Sequence, residues 1–215
     1  MTPTGPAPAA LDAQDARRLR ECLATGGVAV FPADTVYGLA CDPERPAAVE
    51  RLYELKGRPP DRPAAVMFFT LAAARDALPE LGERERAALE ALLPGPLTVL
   101  LPNRAGRYPL TGGGETLGLR VPALTPALAA LAAVPGPVLQ SSANLSGGPE
   151  ARRLADVPRA LREGADLVLD GGELPGVAST VLDLRAYEEH GRWRVVRAGP
   201  VGKAELARAL GGAGA

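Results

Sequence analysis

Apolar and polar positions alternate along this chain in two rhythms, and the switches between them mark its elements. Leu11, Leu19 and Leu23 fall near helical spacing and Gly26-Gly27 stops the run, so a helix is predicted over 12–24. The unbroken apolar stretch at 28–31 reads as a buried strand, stopped by Pro32 and opening into a polar turn that ends at Gly38. Further helices are predicted over 47–55, from a Thr70 cap through Ala77, and over 83–93, 126–133, 157–163 and 202–210. Strands are predicted over 64–69, 97–101, 117–121, 138–141, 167–169, 180–184 and 193–197. In the 83–93 helix, Glu83, Glu85 and Glu90 interleave with Arg84 and Arg86, which reads as a salt-bridged surface. Helical and strand periods alternating in this way point to an α/β fold without internal repeats.

Composition narrows the function by exclusion. A chain of 215 residues that is 47% hydrophobic fits one globular domain with a substantial core, and a net charge of -1 offers no strongly basic surface for permanent nucleic-acid binding. The single histidine, His190, stands in the turn-like Glu188-Glu189-His190-Gly191, which argues against a Ser-His-Asp triad or a histidine metal site. Cys22 and Cys41 lack CxxC spacing, so neither a metal cluster nor a disulfide framework is expected, and a reducing cytoplasm is the default. No GxxxxGK[ST] loop is present, and Gly112-Gly113-Gly114 lacks the strand and helix context of a nucleotide fingerprint. Residues 1–10, rich in Pro and Ala, read as a flexible tail rather than a signal peptide, and no run is long enough to span a membrane.

Against this background one polar constellation stands out. Lysine occurs only at Lys56 and Lys203, the other basic side chains being arginine, so a compact ammonium at Lys56 is an unusual choice. Lys56-Gly57-Arg58 closes the 47–55 helix, and Ser142-Ala143-Asn144 follows a short apolar strand far downstream. A lysine and an arginine on a glycine turn can hold two anionic groups, such as a carboxylate and a phosphate. The same pair also suits a solvated helix C-terminus, where removing the lysine leaves the fold intact.

Five blocks carry a resemblance to a known family: Phe31-Pro32-Ala33-Asp34-Thr35-Val36-Tyr37-Gly38-Leu39, Leu52-Tyr53-Glu54-Leu55-Lys56-Gly57-Arg58-Pro59, Pro94-Gly95-Pro96-Leu97-Thr98, Gly118-Leu119-Arg120-Val121-Pro122 and Ser141-Ser142-Ala143-Asn144-Leu145-Ser146-Gly147. Ser179-Thr180-Val181-Leu182-Asp183 and Arg197-Ala198-Gly199 extend it, so the match runs in order from about Val28 to Gly199. In these blocks the chain resembles the YrdC-like family of threonylcarbamoyl-AMP synthases, in its short bacterial TsaC type. The resemblance implies a single-domain α/β fold, a twisted mixed β-sheet flanked by helices, with the catalytic domain over 11–211. It implies that L-threonine, bicarbonate or CO2 and ATP become threonylcarbamoyl-AMP and pyrophosphate, for the t6A modification of tRNA. Magnesium would accompany ATP, held mainly by phosphates, with no protein metal site. Lys56 and Arg58 would serve as the catalytic cations on carbamate, phosphate and threonine carboxylate oxygens. Ser142 and Asn144 would contact nucleotide phosphate and threonine, Thr35 the amino acid, and Arg120, Ser179 and Arg197 the nucleotide. Hand-over of the adenylate to a threonylcarbamoyl transferase complex and weak tRNA contact are compatible with this picture.

Two positions depart from the family pattern. Ala33 stands where many members carry Thr, and Arg62 with Pro63-Ala64-Ala65-Val66 replaces a commoner Lys-Pro-Leu sequence. Two rival readings remain at this level: a non-catalytic RNA-binding module of the same fold, and a paralogue acting on another small molecule. Sparse aromatics and near-neutral charge weigh against the first, and the intact Ser142 and Asn144 against the second.

Overall fold

The computed structural model describes residues 10–59 and 62–211, so the expected tail lies outside the described residues but for Ala10. Helix α1 (Ala13–Ala24) begins at Asp12, whose carboxylate accepts from the Gln14 and Asp15 N–H groups at 2.7 and 3.0 Å, and Asp15 returns the bond to Asp12 N–H at 3.3 Å. It is followed by strands β1 (Ala29–Pro32) and β2 (Tyr37–Cys41), then helix α2 (Pro46–Lys56) with Pro46 in its first turn.

The expected polar turn spans only residues 33–36, and the last two residues expected in it, Tyr37 and Gly38, already belong to strand β2. Tyr37–Cys41 is buried throughout, between β1 and a strand to come, so it shows no alternation by which to know it. Gly38 is not a turn glycine: a Cβ there would stand 2.8 Å from the Gln140 amide nitrogen and 3.1 Å from the Phe31 ring.

The chain continues through β3 (Ala65–Met67), α3 (Leu71–Ala77), α4 (Glu83–Leu92), β4 (Leu97–Pro102), β5 (Thr116–Arg120) and β6 (Val138–Ser142), then α5 (Arg159–Gly164), β7 (Leu167–Val168), β8 (Thr180–Asp183), α6 (Tyr187–His190), β9 (Arg194–Arg197) and α7 (Lys203–Leu210). The expected helix at 126–133 is instead a 3-10 helix over Pro126–Ala133, consistent with its buried Leu128 and Leu131 lying three residues apart.

The nine strands among the described residues form one mixed sheet in the order β7-β1-β2-β6-β3-β5-β4-β8-β9. One apolar core gathers α1, α2, β1, β2, the 126–133 helix and α5. A second gathers α3, α4 and α7 against Leu97, Val99, Leu101, Leu117, Leu119 and Leu182 of the sheet. On β4 only alternate residues enter that core, which leaves Thr98 and Leu100 on the opposite face.

Charge at two places fixes this second half. Glu85 is fully buried, contrary to the surface reading of the 83–93 helix, because its carboxylate caps α4 at Gly82 N–H (3.0 Å) and pairs with Arg104 (2.9 Å). In the first turn of α4 Glu85 alone turns inward, while Glu83 and Arg84 stay exposed. At the sheet edge Asp183 accepts from Arg185 (2.7 Å) and Arg194 (3.1 Å), and these bonds, led by Arg185, hold its carboxyl down at about 2.

A folded-state pKa below the ordinary carboxylate value means that the folded chain binds fewer protons, so the contribution of Asp183 is complete above about pH 4 and drains as pH falls toward about 2. The thermal-stability gap between wild type and Asp183→Asn is expected to be widest near neutrality and to close across that window. A gap of constant width would show that the carboxylate charge carries none of it.

Candidate active site

The middle strands present one polar face. Ala65 of β3, Thr98 and Leu100 of β4, Thr116, Gly118 and Arg120 of β5, and Gln140 and Ser142 of β6 alternate with core residues and floor a cavity of about 380 Å³. Register brings them side by side, with Gly118 opposite both Ala65 and Leu100, and Ala65 opposite Gln140. The small residues Ala65 and Gly118 leave the floor low at its centre. Arg58, Glu150, Ser179, Arg185 and Arg197 are among the residues that complete the walls.

Beside this cavity Lys56 is only 2% exposed, so α2 does not end in a solvated lysine. Gly57, at φ 59°, ends α2 in the left-handed conformation and turns the chain back. The Lys56 ammonium donates to the Ser142 carbonyl, to the Asn144 carbonyl at 2.8 Å and to Asn144 Oδ1 at 2.7 Å, with Ser142 Oγ at 3.4 Å. Ser142 Oγ donates to Asn144 Oδ1 (2.7 Å), and Asn144 Nδ2 donates to the Gly148 carbonyl (2.6 Å). Ser146 N–H closes the knot on the Lys56 carbonyl at 3.1 Å. Burial, aided by repulsion from Arg58, pushes the ammonium down to about 8.

Each cavity arginine is held by its own partner. Arg58 donates to Ser141 Oγ (3.2 Å) and to the carbonyls of Arg62 (3.2 Å) and Pro63, with its guanidinium 5.9 Å from the centre of the Tyr53 ring. Arg120 is buried and donates to Asp34 (2.7 Å), Thr35 Oγ1 (3.3 Å) and Gln140 Oε1 (3.1 Å). Arg197 reaches the Ser179 carbonyl at 2.8 Å, and the Ser179 hydroxyl shares a hydrogen with Thr98 at 2.8 Å.

Of the eight residues singled out in the sequence, Arg58, Arg120, Ser142, Ser179 and Arg197 line the cavity. Lys56 and Asn144 are joined to it through Ser142, and Thr35 lies beneath it against Arg120. Gln140, Ser141, Thr98, Thr116, Glu150 and Arg185 also line it and escaped the sequence reading. The signal for the strand members was the polar alternate of an otherwise apolar strand, as in Thr116-Leu117-Gly118-Leu119-Arg120.

The model of the Sua5/YciO/YrdC family, described as telomere recombination, matches residues 21–199. The chain belongs to the Sua5/YciO/YrdC family. Among its relatives, a threonylcarbamoyl-AMP synthase of Xanthomonas campestris pv. campestris is 41% identical over 161 residues, which cover 73% of this chain and 84% of the relative. A threonylcarbamoyl-AMP synthase of Pyrococcus abyssi is 34% identical over 164 residues, covering 75% of this chain and 48% of that one, so this chain matches about half of it. The crystal structure of P. abyssi Sua5 complexed with L-threonine is similar with a TM-score of 0.81 at 30% identity, over 95% of this chain and 59% of that chain. The Sua5/YciO/YrdC fold is thus the single-domain mixed sheet flanked by helices that the resemblance implied.

The enclosure of Lys56 is open to direct measurement, since the chain has only two lysines. Titration of the side-chain nitrogens by ¹⁵N NMR is expected to give Lys56 a midpoint near 8. A Lys56 midpoint at the ordinary lysine value of 10.5 would refute an enclosed ammonium. Because the folded-state value lies below that of the unfolded chain, Lys56 makes the protein more stable, not less, as pH rises from about 8 toward 10.5.

Proposed function

We propose that this chain is an L-threonylcarbamoyladenylate synthase, a nucleotidyltransferase that converts L-threonine, bicarbonate or CO2 and ATP into threonylcarbamoyl-AMP and pyrophosphate for t6A formation in tRNA. The observation that carries the reading is the cavity itself: four arginines, several hydroxyls and one carboxylate around a space of about 380 Å³, beside a lysine-tied Ser-x-Asn loop. Kinship with synthases of 34 to 41% identity supports it. The threonine-bound P. abyssi structure supports an amino-acid site in the same fold.

The chemistry needs anions brought together. A carbamate oxygen attacks the α-phosphorus of ATP, the bond from that phosphorus to the pyrophosphate oxygen breaks, and charge builds on groups already negative. Fixed cations lower that barrier because they need not reorganise as the charge moves. Arg58, at the cavity wall, takes carbamate, phosphate or threonine carboxylate oxygens, and Arg120, Arg197 and Ser179 face the nucleotide. Lys56 and Asn144 set the position of the Ser142 hydroxyl and add positive potential, and Thr35 supports Arg120 from below. Magnesium enters as the MgATP substrate, its ligands being phosphate oxygens and water. The reaction is assigned to the cytoplasm, with hand-over of the adenylate to a threonylcarbamoyl transferase complex and weak tRNA contact as its downstream steps.

Pyrophosphate release from ATP is expected to require threonine and bicarbonate together. Removing one preorganised donor from such a site costs on the order of 100-fold in turnover. Arg58→Ala is therefore expected to lower release by about that factor while its thermal melt stays close to wild type, since Arg58 is only partly buried. Release that ignores either small substrate, or wild-type turnover by the variant, would defeat the reading.

A further inference from the structure

We propose that Glu150 is the base that takes the proton from the threonine amino group as the carbamate forms, a role that rests on the synthase reading above. Glu150 is the one carboxylate among the described residues lining the cavity, against Arg58, Arg120, Arg185 and Arg197. Each of those arginines is engaged elsewhere: Arg58 with Ser141 and nearby carbonyls, Arg120 with Asp34, Arg185 with Asp183, and Arg197 with Ser179. Among the described residues the buried Oε2 atom of Glu150 has no hydrogen-bond partner, and neither does the buried Nε of Arg120. Buried acceptors are satisfied almost everywhere in folded proteins, so an open one beside cations marks a place where a donor is expected to arrive.

The position is rigid. The carbonyl of the next residue, Ala151, accepts from Tyr37 N–H at 2.9 Å, and the preceding loop is tied by Asn144 Nδ2 to the Gly148 carbonyl at 2.6 Å. Glu150 therefore hangs between β2 and the lysine-tied loop. Glu150 and Ser142 line the same cavity, so the carboxylate and the lysine-held hydroxyl face one space.

The reactants make the same division of charge. The threonine carboxylate, bicarbonate and the phosphates of ATP are anions that suit arginines. The amino group alone must shed protons. Its ammonium form loses one proton to solvent, and the neutral nitrogen then adds to CO2. The N–C bond forms as one C=O electron pair moves onto oxygen, giving an adduct with positive nitrogen and negative oxygen. That nitrogen releases a second proton to Glu150 Oε2, leaving a carbamate and a neutral carboxyl group, which later returns its proton to solvent. The adduct nitrogen is far more acidic than the ammonium it came from, which is why a carboxylate rather than a stronger base suits this step.

The test compares two directions of the reaction. A positioned base contributes on the order of 100-fold or more, so Glu150→Gln is expected to lower pyrophosphate release from threonine, bicarbonate and ATP by about 100-fold, with Glu150→Asp retaining more of it. ATP formation from supplied threonylcarbamoyl-AMP and pyrophosphate breaks no N–C bond before ATP appears, and its rate is expected to fall by no more than about threefold. Equal losses in both directions would make Glu150 a structural or nucleotide-binding group and overturn the inference, as would an unchanged forward rate. A wild-type protein that runs neither direction would refute the synthase reading, and this role with it.

Discussion

The Lys56 ammonium ties together two stretches of chain that the sequence holds 86 residues apart, and the geometry of the cavity wall follows from that tie. Four oxygens, from Ser142 and Asn144, converge on one nitrogen. Only a compact point charge with three rotatable donors can serve such a cluster, because a guanidinium fork spreads its donors in a plane. That accounts for a lysine here in a chain whose basic residues are otherwise almost all arginine. Taking the charge out of water is costly, but a short lysine-free loop carrying the same carbonyls would have no common partner to fold around. The tie therefore converts the Ser-x-Asn segment from a polar loop into a rigid wall.

Rigidity of the same kind extends to the arginines. Asp34 and Gln140 hold Arg120, the Ser179 carbonyl holds Arg197, and Asp183 holds Arg185, while Arg58 lies against the Tyr53 ring and two carbonyls. Two of the four anchors are acidic and two are neutral. A cavity with an acid paired to every arginine would present little net attraction to an anion, whereas unpaired arginines would wander through their rotamers and lose entropy on binding. Mixed anchoring fixes the guanidinium groups and leaves positive potential in the cavity.

Much of this was legible in the sequence, and the failures have physical causes. The Lys-Gly-Arg turn and the Ser-x-Asn element were visible because each combines rare residue types at a strand or helix end, and the structure joins them. Strand β2 was hidden because a strand buried on both faces has no period of two, and Gly38 looked like a turn when it makes room for Gln140 and Phe31. Glu85 was misread as surface because charge on an amphipathic helix says nothing about which turn faces a neighbouring loop, here the one that carries Arg104. Glu150 gave no local signal at all. Its significance comes from what surrounds it across the cavity, and a single sequence does not carry that information.

The same distinction between a side chain and its place in the fold decides what the two departures from the family pattern do. Ala33 is 1% exposed and belongs to the first apolar core, while its N–H bonds the Val36 carbonyl. A methyl group suits that site, and Ala33 is not among the cavity residues, so the missing hydroxyl takes nothing from the wall. Arg62 is exposed, yet its carbonyl accepts from Arg58 Nε at 3.2 Å and from the Tyr53 hydroxyl at 3.0 Å. The contribution of position 62 to the orientation of Arg58 is therefore made by its backbone, and any residue that keeps the turn supplies the same carbonyl. The exchange between lysine and arginine there changes the outer surface while the cation that faces the cavity stays where Tyr53 and the 62–63 carbonyls hold it.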